Sequence, residues 1–340
     1  METEDGIIRA RKVVVATGSK PLRPPIPGIE HALDSTGILA LRKVPPRLLV
    51  IGGGTIALEF ASIFGNVGSK VTVLETRPAV LADLDDDLRK AVERASSRSN
   101  VEIRTRVKVV RVDVGPKNLS VTVETGRGKE VHEAEVVLVA TGRGPRVEGL
   151  GLERIGVRVE GKGVSVDEYL ETDAPGVYAA GDVHGSFQLT PVASYEGDLA
   201  ARNALGGRRT GVDYRVVPRT VFTIPSASSV GLSEKEARAR GIDCASSLLP
   251  FGDIGAGLTA GETEGFVKIV FDKRTREVAG AHIFGAESEE LIHLPTLAMK
   301  ARLKAEKIVD TLTIHPSLAE AFFGAASKAK LARKSSRRAS

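Results

Sequence analysis

The chain has 340 residues, 42% hydrophobic and 27% charged, and no apolar run approaches the length of a membrane span. Its +5 formal charge comes from one stretch: residues 327–340 carry six Lys or Arg and no acid, so the rest of the chain sums to −1. That tail lacks interleaved aromatics, which argues against nucleic acid and for a solvated, disordered terminus. With the single cysteine, Cys244, an intrachain disulfide is excluded; together with the absence of a signal-peptide pattern this gives a cytoplasmic expectation.

In chain order, residues 1–19 read as a turn at Asp5-Gly6, a strand through Ile7 and Ile8, and a buried strand Val13 to Ala16 ending in Ala-Thr-Gly. Residues 121–142 repeat that plan and end again in Ala-Thr-Gly, so two related dinucleotide modules are expected. Between them lie a proline-rich linker, Pro21 to Gly28, and a short helix from Ser35 to Lys43.

The stretch from Leu48 to Glu75 organises the rest. Leu48 to Ile51 is an apolar run suited to a strand buried on both faces. Gly52, Gly54 and Ala57 then form G-x-G-x-x-A, opening a helix whose apolar face is Ile56, Phe60 and Phe64. A second strand ends on Glu75. Gly52 allows the tight turn, Gly54 lets a pyrophosphate reach the helix N-terminus, and Ala57 lets the helix lie close on the strand. Glu75 is placed to bind ribose hydroxyls and repel a 2′-phosphate, favouring NAD, although Arg77 leaves NADP open.

Further on, a helix from Asp85 to Ser96 precedes strands near 101–103 and 107–113. The run TDAPGVYAAGD, residues 172–182, ends a strand on Gly181-Asp182, where a carboxylate can hold a sugar-like hydroxyl, and a helix follows from Tyr195 to Leu205, ending near Gly206-Gly207. From Tyr214 the pattern becomes α+β: a strand 219–223, a capping box Ser233-x-x-Glu236, strands 265–272 and 278–284, and helices about 287–301 and 317–330.

These motifs resemble the class I pyridine nucleotide-disulfide oxidoreductases, the flavoprotein disulfide reductases, over residues 3–326. The matching elements are Ala-Thr-Gly at Thr17, the fingerprint at Gly52, ATGR ending at Arg143, the Gly-Asp pair at Asp182, the segment Phe222 to Glu234, and the His315-Pro316 … Glu320 element. Dihydrolipoamide dehydrogenase is the nearest subgroup on these motifs.

The resemblance implies tandem Rossmann-like FAD- and NAD(P)-binding domains, the FAD domain incomplete, plus a C-terminal α+β dimerisation domain. The expected division is 1–44 and 146–213 for FAD, 45–145 for NAD(P), 214–328 for dimerisation, and 329–340 as a disordered tail. It also implies that Thr17, Gly18, Gly142, Arg143, Gly181 and Asp182 lie at FAD, and that Gly52, Gly54, Ala57, Glu59 and Glu75 lie at the pyridine nucleotide. His315 and Glu320 become the acid–base pair serving the flavin and dithiol of the other subunit of a homodimer, and no metal site is expected. The other histidines, including His184 and His293, read as ordinary surface residues.

The family's first FAD fingerprint and its C-x-x-x-x-C pair are absent from the sequence. The expectation is therefore a late-start or partial form of a longer enzyme, or one part of a split enzyme whose N-terminal polypeptide is separate. Two other readings stay open: a non-catalytic NAD-binding and dimerising module, and an NADH:acceptor diaphorase without a redox disulfide.

Overall fold

The computed structural model describes residues 2–3, 6–161, 163–206 and 209–338. They divide into two units: residues 1–22 with 142–214, and residues 23–141 with 215–340. Asp5 and Gly207, which belong to an expected turn and an expected helix end, lie outside the described residues, as do residues 339 and 340.

In the first unit the apolar triplets Val13–Val15 and Val177–Ala179 pair in parallel, and Ser19–Pro21 pairs antiparallel with Arg143–Pro145. Val15, Ala179, Val183, Leu152 and Val164 form its small core. The helix expected from Tyr195 begins five residues earlier, at Thr190, and runs to Ala204. Pro191 sits in its first turn, where the missing N–H has no helical partner to lose and the fixed φ suits the helix.

In the second unit four parallel strands stand in the order Val136–Val139, Arg47–Ile51, Lys70–Glu75, Val101–Thr105. The central strand is buried on both faces, as its unbroken apolar run requires. Helices Thr55–Asn66 and Asp86–Arg98 join these strands, and an antiparallel meander of Lys108–Val114, Leu119–Thr125 and Gly128–Ala134 inserts before the last.

Residues 215–340 build a five-stranded antiparallel sheet, ordered Arg219–Val221, Ala227–Gly231, Val278–Phe284, Phe266–Asp272, Cys244–Pro250. Val221, Ala227, Phe266 and Phe284 of this sheet share one apolar core with Leu48, Val50, Ala57 and Val73. An ionic cluster lies beside that shared core. Lys268, 5% exposed, donates to both oxygens of Asp85 at 2.8 and 2.9 Å and to Asp87 at 2.7 Å, where Asp85 also caps helix Asp86–Arg98. Taking Lys268 out of water is offset only by this full set of acceptors.

The sheet contains two strands that the sequence pattern does not announce. Ala227–Gly231 looks polar, yet Ser228 and Ser229 are buried, because Ser228 bonds Thr220 and Ser288 and Ser229 accepts from Arg219. Cys244–Pro250 is the edge strand, partly covered by the last helix. The helix expected over 287–301 is two, Ser288–Leu291 and His293–Lys300, since Pro295 removes an N–H that would continue the first into the second. The last helix runs Glu320–Arg338, through most of the segment expected to be disordered; its Ala, Lys, Leu and Arg content favours helix.

Candidate functional site

At the end of strand Arg47–Ile51 each glycine of the triplet has a different constraint. Gly52 adopts φ +114°, and a Cβ there would lie 2.4 Å from the Ala140 carbonyl oxygen. At Gly53 a Cβ would lie 2.7 Å from Glu75 Oε2, so this glycine, which the fingerprint leaves unspecified, is needed for the acid to reach the turn. Gly54 has open space where its Cβ would be, and it heads helix Thr55–Asn66 with no side-chain cap. The first N–H groups of that helix are thus free of a capping side chain, with the positive end of the helix dipole facing the gap. Ala57 is fully buried, which lets the helix approach the sheet.

Glu75 is 6% exposed. Its Oε1 accepts from the Arg77 N–H at 2.7 Å and the Thr76 hydroxyl at 3.1 Å, with the Arg77 guanidinium 3.6 Å away. Oε2 has no hydrogen bond among the described residues and faces the glycine turn. Arg77 therefore braces Glu75 rather than replacing it.

Glu59, one turn along the same helix, accepts from the backbone N–H of Phe222 at 2.9 Å, and Ser62 Oγ accepts from the N–H of Ile224 at 2.9 Å. Burial pushes the Glu59 carboxyl above the usual carboxylate range, and the Phe222 N–H offsets only part of this. No cation pairs with it among the described residues.

In the first unit the expected residues converge from three separate stretches. Asp182 is the second residue of the single-turn helix Gly181–His184, and its Oδ2 accepts from the Ser19 hydroxyl at 2.6 Å. Ser19 in turn accepts from Arg143 Nε at 2.8 Å, and its carbonyl accepts from the same guanidinium at 3.0 Å. Asp182 Oδ1 carries no hydrogen bond among the described residues and is left to accept from a ligand. Thr17 is tied to the Arg146 carbonyl at 2.6 Å, and Gly18 and Gly142 take φ values of +73° and +126° with open or loose surroundings. Ser19 was not expected; its hydroxyl is indistinguishable in sequence from that of any loop serine.

His315 and Glu320 do meet. His315 Nδ1 donates to Glu320 Oε1 at 2.9 Å, while Oε2 accepts from the Ser317 N–H at 2.9 Å. The spacing of five residues works because His315 precedes the helix that Glu320 begins. The His315 bond, then the Ser317 amide, holds the Glu320 carboxyl below its ordinary value. The His315 ring is 73% exposed, with Nε2 open. His184, expected at the surface, is instead almost fully buried and bonded to Glu196 at 2.8 Å.

Residues 2–197 match the pyridine nucleotide-disulphide oxidoreductase family and residues 217–326 match its dimerisation domain. The chain belongs to the pyridine nucleotide-disulphide oxidoreductase family. It is 39% identical over 316 residues to a glutathione reductase of Burkholderia cepacia, covering 93% of this chain and 70% of that protein. It is 37% identical over 323 residues to a mercuric reductase of Bacillus cereus, covering 94% of this chain and 51% of that protein, so it spans about half the relative's length. A dihydrolipoyl dehydrogenase of Bacillus subtilis (strain 168) is 35% identical over 313 residues, 91% of this chain and 66% of that protein.

Among solved structures, the HOCl-induced flavoprotein disulfide reductase RclA from Escherichia coli superposes with a TM-score of 0.88 at 31% identity, over 95% of this chain and 75% of that one. LpdA from Mycobacterium tuberculosis superposes with a TM-score of 0.88 at 29% identity, over 96% and 72%. These matches give no support to a separate N-terminal polypeptide. The family uses FAD and a pyridine nucleotide. Among the described residues no helix is long and apolar enough to cross a membrane.

Both cofactors can be tested against the residues present. The pyridine nucleotide fits: an open glycine, an uncapped helix N-terminus and a carboxylate with one unused oxygen stand together. For the flavin, the first unit offers an Asp182 oxygen with no hydrogen bond among the described residues, able to accept from a hydroxyl. Residues 1–22 and 142–214 contain no G-x-G-x-x-A, so the first unit offers no turn like that at Gly52 to the flavin's phosphates.

Proposed function

We propose that this chain carries the NAD-linked and thiol-facing machinery of an FAD-dependent disulfide oxidoreductase of dihydrolipoyl dehydrogenase type, working as a cytoplasmic homodimer through residues 214–328. The observation that carries this reading is the Gly52–Glu75 turn, whose free oxygen and open glycine suit an adenosine ribose without a 2′-phosphate. When bound, FAD supplies the two-electron relay between a pyridine nucleotide and a dithiol/disulfide couple.

In this reading Gly54 admits the pyrophosphate to the helix N-terminus, Glu75 Oε2 accepts the ribose hydroxyls, and Glu59 lies beside the nicotinamide. Asp182 Oδ1 accepts a ribityl hydroxyl, Gly18, Thr17, Gly142 and Gly181 let backbone approach the flavin, and Arg143 sits near its diphosphate. His315 holds its proton on Nδ1 towards Glu320, which leaves Nε2 to take a proton from a thiol and return it, while the carboxylate stabilises the imidazolium. The one cysteine, Cys244, is buried in an edge strand with its Sγ towards the Glu234 carbonyl, so it is not the thiol that His315 serves in this reading.

A second reading, a nucleotide-binding module without electron transfer, is favoured by one feature: the pyridine nucleotide turn is complete within the second unit. A visible spectrum of the purified chain, taken with FAD and then NADH, separates the two. A protein-bound flavin band that bleaches on NADH supports the oxidoreductase; NADH binding by a chain that takes up no FAD supports the module.

A further inference from the structure

Glu196, on helix Thr190–Ala204, is 0% exposed. A carboxylate there is costly unless its oxygens are saturated. They are: Oε2 accepts from the Gly181 N–H at 2.7 Å and from His184 Nε2 at 2.8 Å, and Oε1 accepts from the Ser186 hydroxyl at 3.0 Å and the Tyr214 hydroxyl at 2.6 Å. Burial pushes the Glu196 carboxyl up, but the His184, Tyr214 and Gly181 donors together outweigh it and leave it below its ordinary value. Burial and the bond to Glu196 push the Tyr214 phenol up in turn.

Two of those donors flank Asp182 within the single-turn helix Gly181–His184. Gly181 takes φ +74°, and a Cβ there would lie 3.1 Å from Ala193 Cβ, one turn before Glu196, so the turn rests closely on the helix. On its other side Asp182 is held by Ser19. Tyr214 is the last residue of the first unit, and its ring packs on Phe187 at 5.2 Å.

We propose that Glu196 is a positioning residue: through the Gly181 N–H and His184 it fixes the turn that presents Asp182, and so aims the unused Asp182 oxygen at a ribityl hydroxyl of the flavin. This rests on the flavin reading above. Glu196 itself would not touch the cofactor; its carboxylate acts by holding a donor on either side of Asp182. His184 belongs to this support.

The test compares Glu196→Ala and Glu196→Gln with the unmodified 340-residue chain, reading amide hydrogen exchange at 181–184, FAD affinity and NADH affinity. In Glu196→Ala, exchange at 181–184 rises and FAD affinity falls, each by about tenfold, as for loss of a buried charge-assisted pair, while NADH affinity is unchanged. Glu196→Gln recovers most of both, because its amide oxygen still accepts from Gly181 and His184 while the amide N–H groups can donate to hydroxyls that rotate. A purely structural role would move NADH affinity together with FAD affinity and would overturn the proposal. So would unchanged exchange at 181–184 in Glu196→Ala. If that variant does not fold, His184→Asn decides: faster exchange at 181 supports the proposal and unchanged exchange overturns it. An unmodified chain that takes up no FAD overturns the flavin reading, and with it the purpose assigned to Glu196. That failure appears before any substitution and is thus distinct from the other.

Discussion

The nucleotide turn and the Asp182 cluster are built on opposite principles. The turn is made by backbone from one continuous stretch, residues 48–75, and its specificity lies in atoms that are missing from three glycines. The Asp182 cluster is made by side chains 163 and 124 residues apart, Ser19 with Asp182 and Ser19 with Arg143. A site of the first kind is damaged by adding atoms, and one of the second kind by removing them.

That contrast is sharpest between two glycines of one motif. Gly52→Ala would place a methyl 2.4 Å from the Ala140 oxygen at φ +114°, so it should destabilise the second unit by about 3 kcal/mol in urea unfolding. Gly54→Ala has room for its methyl; its stability should stay within about 0.5 kcal/mol of the parent, while NADH affinity drops by about tenfold or more. Equal destabilisation by both would break the distinction between a glycine required by the fold and one required by the ligand. For the side-chain cluster, Ser19→Ala removes the hydroxyl between Arg143 and Asp182, and FAD affinity should fall by about tenfold with NADH affinity intact.

The smallest expected effect is the response to acid. His282 is almost fully buried and neutral, with its Nε2–H on the Leu232 carbonyl and Asp85, Lys268 and Arg219 around it. Burial lowers its pKa against the pull of Asp85, so the folded state binds this proton less readily than the unfolded state. Its contribution is complete above about pH 6.5 and is lost as pH falls below that value, by up to about 1.4 kcal/mol per pH unit. In the first unit Glu196 is likewise depressed, but from a carboxylate value, so its contribution is lost only below about pH 4.5. From pH 7 to 5 the amide protection factors, corrected for the intrinsic slowing of exchange, should therefore fall in strands Phe266–Asp272 and Val278–Phe284, and His282→Gln should flatten that response.

What could be read in advance follows the same division. Gly52, Gly54, Ala57 and Glu75 were legible because local geometry alone demands those residue types. The capping box was legible for the same reason: Ser233 Oγ accepts from the Glu236 N–H at 3.2 Å and Glu236 accepts from the Ser233 N–H at 2.8 Å. The meeting of His315 with Glu320 was legible only through the family's pattern, since five residues is an awkward spacing within a helix. Ser19 and Lys268 were not legible because their partners lie 163 and 183 residues away, and His184 and Glu196 because their bond forms only once the turn at Gly181 is folded against the helix that carries Glu196. Strand Ala227–Gly231 was hidden for a related reason: its serines look solvent-facing until Thr220, Ser288 and Arg219 arrive to satisfy them.

The most direct test of the account is calorimetric titration of the 340-residue chain with NADH and with NADPH, repeated on Gly54→Ala. The account predicts one NADH per chain, bound at least about tenfold more tightly than NADPH because Glu75 repels the 2′-phosphate, and weakened by the glycine substitution. No binding of either nucleotide, or tighter binding of NADPH, would contradict it.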